Sequence, residues 1–111
     1  MARSRRVVWA PRATQDLLDV WRYYVRVASP DLADNILRGI DRASEAIGRN
    51  PLTRRTRDDL MPGLRSALVS PHTIFYRLQG GDVEIVRVLH QRRDFPSAFG
   101  LRPNPPADEN R

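Results

Sequence analysis

The densest group of chemically active side chains follows the last apolar run of the sequence. Leu89 is followed at once by polar and charged residues, namely His90, Gln91, Arg92, Arg93 and Asp94. Cleavage of RNA without a metal needs a base for the 2′-hydroxyl proton, a cation for the phosphorane and an acid for the leaving oxygen. His90, either Arg92 or Arg93, and Tyr76 are the candidates for these three catalytic roles.

His90 also has two interpretations that involve no catalysis. It could contact a macromolecular target directly, or it could be a hydrogen-bonded histidine that fixes the turn leading to Arg92. A metal site is not expected, because His72 is the only other histidine and the chain has no cysteine. The sequence therefore predicts neither a metal ion nor a cofactor.

The charge of the chain indicates an acidic partner. All 19 basic residues are arginines, and the net charge is +6. Arginine keeps its charge and offers a rigid fork of donors that suits carboxylates and phosphates. The partner is either nucleic acid or an acidic protein segment, and charge does not choose between them.

Composition and apolar runs also bear on location. The absence of cysteine excludes a disulfide framework and fits a reducing compartment. No stretch approaches the ~20 apolar residues of a membrane span. The run at residues 7–10 is far too short for the core of a signal peptide. We therefore expect a cytoplasmic protein that does not associate with membranes.

Three short strands must position the polar group that begins at His90. Runs rich in β-branched and aromatic residues span 64–69, 74–78 and 83–89, and Gly80 and Gly81 separate the last two. Such a glycine pair supplies the positive φ angles of a tight hairpin turn. The pattern predicts three antiparallel strands in succession, with His90 on the rim of their sheet.

Three arginines on these strands have two interpretations. Arg65, Arg77 and Arg87 would form a basic stripe beside the rim if their side chains share one face of the sheet. Alternatively, each packs its alkyl stem over the sheet and keeps its charge in water.

Two amphipathic helices are predicted upstream of the strands. Apolar residues recur with a period of roughly 3.6 from Arg12 onward, and a second helix begins at Ser29-Pro30 and ends near Gly48. The short link between them predicts an antiparallel hairpin that packs on the sheet. The polar face of the first helix is expected to meet water, and it comprises Gln15, Asp16, Asp19, Arg22 and Arg26.

Together these elements predict one α+β domain over residues 1–99, with the order β-α-α-β-β-β. An N-terminal helical hairpin packs on a small, antiparallel-rich sheet, to which residues 5–9 add an edge strand. Residues 52–62 are expected to form a solvated loop, and residues 95–99 one helical turn on the sheet. The proline-rich segment 100–111 is expected to be a disordered tail.

The apolar face of the first helix is wide for so small a domain. Beside the main stripe it includes four residues of particular interest: Leu18, Trp21, Tyr24 and Val25. An uncovered apolar groove flanked by arginines would suit an acidic, amphipathic segment of a partner, which would dock as a helix or as an added strand.

Three stretches of the chain carry a family resemblance. They are DLLDVWRYY in the helical hairpin, MPGLRSALVSPHTIFYRL across the loop and strands, and IVRVLHQRRD at the last strand and its exit. In this order they resemble the ParE branch of the RelE/ParE superfamily of bacterial type II toxin–antitoxin systems, over about residues 5–99. The resemblance implies a RelE/ParE-like fold and a toxin held inactive in a hetero-oligomer with a ParD-like antitoxin. When freed, such a toxin poisons DNA gyrase, and the expected target is the gyrase A protein.

The superfamily includes two mechanisms. ParE-like toxins act by binding, whereas RelE-like relatives cut messenger RNA on the ribosome. RelE-like sites usually place a tyrosine or histidine close to the C-terminal end of the domain. Here no tyrosine follows Tyr76, and the corresponding aromatic residues, Phe95 and Phe99, cannot transfer protons. The resemblance therefore implies a non-enzymatic toxin, with a RelE-like ribonuclease that uses His90, Arg92 and Tyr76 as the alternative.

The site residues expected from this resemblance form two groups. The target-binding residues are Arg65, His90, Arg92 and Arg93. The antitoxin-binding residues are Leu18, Trp21, Tyr24 and Val25. Sequence-specific binding of nucleic acid by the chain itself is not expected, and a general nucleic-acid-binding module remains a third hypothesis, which predicts an affinity that falls steeply with salt.

Overall fold

The computed structural model describes residues 4–101. Strand β1 spans Val7–Trp9, helices α1 and α2 span Pro11–Val27 and Pro30–Arg49, and a 3-10 turn spans Pro51–Thr53. Strands β2, β3, β4 and β5 span Arg55–Thr56, Arg65–Val69, His72–Gln79 and Asp82–His90, and the short helix α3 spans Phe95–Ala98.

The two long helices start at the prolines that the sequence indicated, but their caps differ. The hydroxyl of Ser29 accepts a hydrogen bond from the Leu32 amide at 3.1 Å, which satisfies one of the free amides at the start of α2. Ala10 offers α1 no side-chain cap. Only two residues separate α1 from α2, so the helices form the predicted antiparallel hairpin.

The strands form one five-stranded sheet in the order β1-β5-β4-β3-β2. Strand β1 runs parallel to β5, and every other pair is antiparallel. Gly80 and Gly81 join β4 to β5 with φ angles of 59° and 90°, a conformation that L-residues with a Cβ rarely adopt. The predicted α+β class and the predicted succession of antiparallel strands are confirmed.

Strand β2 was not predicted, and the segment around it is less solvated than expected. Arg55 and Thr56 pair with Ser66 and Arg65 at the edge of the sheet. Leu60, in the same segment, is only 5% exposed. A strand of two residues is too short to show an alternating pattern, so its pairing depends on where β3 lies in the folded chain.

The sheet separates two apolar clusters. Adjacent residues of β4 point to opposite faces, so Ile74 and Tyr76 pack under the helical hairpin while Phe75 packs on the other side. On that other side the rings of Phe95 and Phe99 lie edge-on to Phe75, at 4.9 and 5.1 Å between centroids. The helical turn expected after Asp94 is therefore present as α3.

The predicted C-terminal tail falls mostly on residues 102–111, which lie outside the described residues. Its first two residues are bonded to α3, because the Gly100 amide donates to the Ser97 carbonyl at 3.0 Å and the Leu101 amide to the Pro96 carbonyl at 2.8 Å. In the described part of the chain, no helix is both long enough and apolar enough to cross a bilayer.

Candidate functional site

A groove of about 490 Å³ lies between α1 and the end of the β4–β5 pair where β5 leaves the sheet. Helix α1 supplies its apolar and aromatic wall through Val20, Tyr23, Tyr24 and Val27, with Asp16 and Asp19 beside them. The sheet supplies His72, Val88, Leu89 and His90, and Arg93 follows in the turn after β5.

The groove exists because β1 covers only half of β5. Strand β1 pairs with Val83–Ile85, and the chain then turns into α1, with the Ala10 amide donating to the Ile85 carbonyl at 2.9 Å. Beyond Ile85 the outer edge of β5 therefore has no neighbouring strand within residues 4–101, and α1 crosses it instead. An exposed strand edge presents unpaired backbone groups. Here the Val88 amide is satisfied by the Asp16 carboxylate at 2.9 Å.

The expectation that Asp16 faces water is wrong. Asp16 is 6% exposed and Arg87 is 7% exposed, and they form a bidentate ion pair with nitrogen–oxygen distances of 2.8 and 3.1 Å. Arg87 also donates to the Ala98 carbonyl at 2.9 Å, which ties α1, β5 and α3 together. Asp16 fits the polar face of an amphipathic helix, and only a partner 71 residues away in sequence makes its burial favourable.

The basic stripe, one of the two interpretations of Arg65, Arg77 and Arg87, does not form. Arg87 forms the buried ion pair with Asp16, and Arg77 pairs with Glu84 on the neighbouring strand at 2.8 Å. Arg65 donates to the backbone carbonyls of Leu52 and Arg54, at 3.2 and 2.8 Å. Each of these arginines is engaged in a different contact.

A series of rings leads from α1 across the floor of the groove. Their centroids are 5.0 Å apart for Tyr23 and Tyr24, 6.1 Å for Tyr24 and His72, and 5.7 Å for His72 and His90, all in edge-on geometry. The two histidines are direct partners across β4 and β5. The series places an imidazole from each strand in one cavity.

His90 makes the hydrogen bond expected of a histidine that fixes the turn. Its Nδ1 accepts from the Arg92 amide at 3.1 Å, so Nδ1 carries no proton and the neutral ring bears its hydrogen on Nε2. The side chain is nevertheless exposed, as are those of Arg92 and Arg93. His90 thus orders the turn while keeping a donor available at the end of β5.

His72 is the polar group at the floor of the groove. It is 3% exposed, and within residues 4–101 its ring nitrogens have no hydrogen-bonding partner. Burial lowers the pKa of His72, and the nearby His90 ring lowers it further. No binding or catalytic role for His72 was predicted, because the run that predicted this strand begins only at Ile74, whereas β4 begins at His72 itself.

Tyr76, the candidate catalytic acid, lies at the other end of the sheet. It is fully buried, and its hydroxyl donates to the Pro51 carbonyl. Burial raises the pKa of Tyr76 to about 12. Because His72 pairs with His90, Tyr76 lies four residues along β4, roughly 13 Å from the His90 position. The structure therefore does not bring Tyr76 together with His90 and Arg92, and Arg65 is paired with Tyr76 at that same distant end.

The four residues expected to bind the antitoxin do not form one surface. Tyr24 lines the groove. Trp21 instead turns toward α2, where its indole nitrogen donates to Asp34 at 2.9 Å. Leu18 and Val25 lie three and four residues from Trp21, on the same side of α1. The wide apolar face of α1 is thus divided, with Trp21 toward α2, Tyr24 in the groove and Leu18 exposed. Val20, Tyr23 and Val27 also line the groove and were not predicted to do so, although Tyr23 and Val27 have the four-residue spacing of helix neighbours.

The described residues contain no group of three or more histidine, cysteine, aspartate or glutamate side chains placed to hold a metal ion. The groove offers the chemistry of the side chains that line it. It presents apolar and aromatic contacts on α1, and imidazole and guanidinium groups on the sheet side.

The helical hairpin, the sheet and its strand order place the chain in a class of folds known from solved structures. A chain of the solved structure described as the chromosomal ParDE TA system from P. aeruginosa matches with a TM-score of 0.69 at 21% identity, covering 78% of this chain and 96% of that one. A chain of the toxin–antitoxin complex RelBE2 from Mycobacterium tuberculosis matches with a TM-score of 0.56 at 22% identity, covering 79% and 99%. At such identities the likeness shows the fold alone.

Sequence comparison identifies the family within this class. Residues 7–95 match the family model described as the ParE toxin of the type II toxin–antitoxin system parDE. Toxin ParE1 of Mycobacterium tuberculosis (strain H37Rv) is 36% identical over 92 residues, which are 82% of this chain and 94% of that protein. Toxin ParE3 of Caulobacter vibrioides is 33% identical over 97 residues, or 87% and 97%. The chain belongs to the ParE toxin family of type II toxin–antitoxin systems, as the resemblance of its three stretches implied.

Proposed function

We propose that this toxin inhibits DNA gyrase in the cytoplasm by binding to the gyrase A protein, and that a ParD-like antitoxin neutralises it. The observation that best supports inhibition by binding is the position of Tyr76. An RNA-cleaving site needs an acid within hydrogen-bonding reach of the leaving oxygen. Tyr76 is buried, bonded to the Pro51 carbonyl and distant from His90. That separation favours inhibition by binding over RNA cleavage with the candidate residues.

The proposed target surface is the exit of β5. His90, Arg92 and Arg93 are exposed there in a short turn, which the His90–Arg92 hydrogen bond orders. Permanently charged guanidinium groups on an ordered turn suit an acidic surface of a protein target. Arg65 lies at the opposite end of the sheet, so a target that contacts it as well must span the length of β4.

The proposed antitoxin surface is the groove beside this exit. Its α1 wall is apolar and aromatic, which suits the apolar side of an amphipathic segment. The solved relatives of this fold include toxin–antitoxin complexes, which supports a hetero-oligomer here. An antitoxin in the groove would lie against His90 and Arg93, and so beside the proposed target surface.

Supercoiling by purified gyrase, with translated messenger RNA followed in parallel, tests the proposed target. The toxin should inhibit supercoiling and leave transcripts intact. Replacing Arg92 and Arg93 together by alanine should weaken inhibition by tenfold or more, because charged contacts at an interface centre cost roughly 2 kcal/mol or more when removed. Replacing Arg38 and Arg42 on α2 removes the same charge from another exposed surface, and this control should inhibit like the parent.

Unaffected supercoiling with cut transcripts would overturn this proposal in favour of the ribonuclease alternative. Binding to DNA alone, with an affinity that falls steeply as salt rises, would instead indicate a nucleic-acid-binding module.

A further inference from the structure

The floor of the groove holds a polar group that the described chain leaves unsatisfied. Buried polar side chains in folded proteins are hydrogen-bonded with few exceptions, so each exception needs an explanation. The His72 imidazole is 3% exposed, lines the groove, and has no hydrogen-bonding partner among the described residues. Its ring is held in place by edge-on contacts with Tyr24 and His90. A ligand that enters the groove can pair with this fixed donor without reorganising it.

The charges around His72 select the kind of ligand. On the sheet side, His90 and Arg93 line the same cavity. On the helix side, the Asp16 carboxylate is already neutralised by Arg87, whereas Asp19 accepts a hydrogen bond only from the neutral side-chain amide of Gln15 at 2.9 Å, so an acidic ligand is disfavoured against that part of α1. A carboxylate is therefore favoured next to His72 and Arg93, and an apolar group is favoured against Val20 and Tyr24 on the opposite wall.

We propose that the groove binds an acidic side chain of a peptide segment, carried next to an aromatic or large apolar residue. The carboxylate accepts hydrogen bonds from His72 and Arg93, and the apolar neighbour packs against α1. This inference rests on the proposed function only in that the antitoxin is the protein that supplies the segment.

Binding of this kind takes up a proton. The titratable and charged groups that line the groove together with His72 are Tyr23, Tyr24, Asp16 and Asp19 from α1, and His90 and Arg93 from β5 and its exit. Strand β3 places only Val69 opposite His72. A bound carboxylate stabilises the imidazolium form, which burial disfavours in the free protein. Affinity for the acidic segment therefore falls as pH rises above the lowered pKa of His72 in the free protein, until the imidazolium loses its proton in the complex as well.

A pair of dipeptides tests the inference directly. Blocked phenylalanyl-glutamate and blocked phenylalanyl-glutamine differ only in the charge of one side chain, and NMR can follow the His72 ring while each is added. The glutamate peptide should bind about tenfold more tightly at pH 6, the factor that one charge-assisted hydrogen bond supplies. Its advantage should shrink by pH 8. Equal affinities, or signals that move at Trp21 and not at His72, would overturn the proposal.

Three variants locate the contact. Replacing His72 by leucine should abolish the preference for glutamate while the phenyl group still binds. Arg93→Gln should reduce the preference for glutamate severalfold. Because Arg93 is exposed, this variant should fold and test the contact even if the leucine variant does not fold. Asp19→Asn is the matched control, and it should keep or increase the preference. A full preference in the Arg93 variant would contradict the proposed geometry.

The supercoiling assay separates this inference from the proposed function. If the toxin inhibits gyrase but binds the two peptides equally, the inference about the groove is wrong and the proposal about the target is supported. If the toxin prefers the glutamate peptide but does not inhibit gyrase, the inference about the groove is supported and the proposal about the target is wrong.

Discussion

Two buried polar sites of this toxin lie on the same groove and differ in how their polar atoms are satisfied. At the first, the Asp16 carboxylate accepts hydrogen bonds from Arg87 and from the Val88 amide, and Arg87 also donates to the Ala98 carbonyl. At the second, His72 has only ring contacts among the described residues. A buried charge whose hydrogen bonds are complete holds elements together, whereas a buried polar group without them is left for a partner. The comparison assigns a structural role to the first site and a binding role to the second.

The largest expected effect is on stability at the first site. Asp16→Ala leaves Arg87 buried without its counter-ion, which costs roughly 3–5 kcal/mol of the free energy of unfolding. Urea unfolding at pH 7 measures this cost. The matched control is Glu84→Ala, which removes the partner of the part-exposed Arg77 and should cost only about 0.2–1 kcal/mol. Similar costs in the two variants would show that Asp16 and Arg87 do not hold the fold together.

A smaller loss is expected at the far end of the sheet. Tyr76→Phe leaves the Pro51 carbonyl without its donor and should cost about 1–3 kcal/mol in the same unfolding experiment. Growth arrest on expression should persist, because Tyr76 has a structural role in the proposed mechanism. A variant that folds well and is not toxic would instead place Tyr76 in catalysis.

Replacement of His72 tests whether the second site differs from the first in its contribution to stability. His72→Leu removes a buried polar group that has no partner in the described chain, and it conserves volume approximately. Its unfolding free energy should lie within about 1.5 kcal/mol of the parent value, far from the loss expected for Asp16→Ala. A loss of several kcal/mol would mean that His72 is a structural group like Asp16.

The smallest expected effect is a dependence of stability on pH. Because the pKa of His72 is lower in the folded protein than in the unfolded chain, the unfolded state binds more protons in mildly acidic solution. Stability should therefore rise as pH increases toward and just beyond 6.5, and this contribution should be complete above that pH. Urea midpoints between about pH 5 and 8 measure the slope, and the His72→Leu variant should show a flatter one. An unchanged slope would show that the titration does not belong to His72.

Much of the fold could be predicted because its signals are local. The Ser29-Pro30 cap, the helical period and the Gly80-Gly81 turn each act within a few residues, so they identified both helices and the β-hairpin. Strand β2 was missed because two residues show no period, and its pairing depends on β3. The position of Arg65 could not be predicted either, because its partners are the backbone carbonyls of a loop about a dozen residues upstream.

Local signals in the sequence were enough to predict both helices, the β-hairpin and the cationic exit of β5, because capping, periodicity and turn chemistry act between neighbours along the chain. The family followed from the resemblance of three stretches to ParE toxins. Tertiary structure alone decided which polar groups are satisfied. Asp16 meets Arg87, and His72 meets the Tyr24 ring, only when α1 crosses the part of β5 that β1 leaves uncovered. Burial and hydrogen bonding depend on these long-range approaches, which no local pattern specifies.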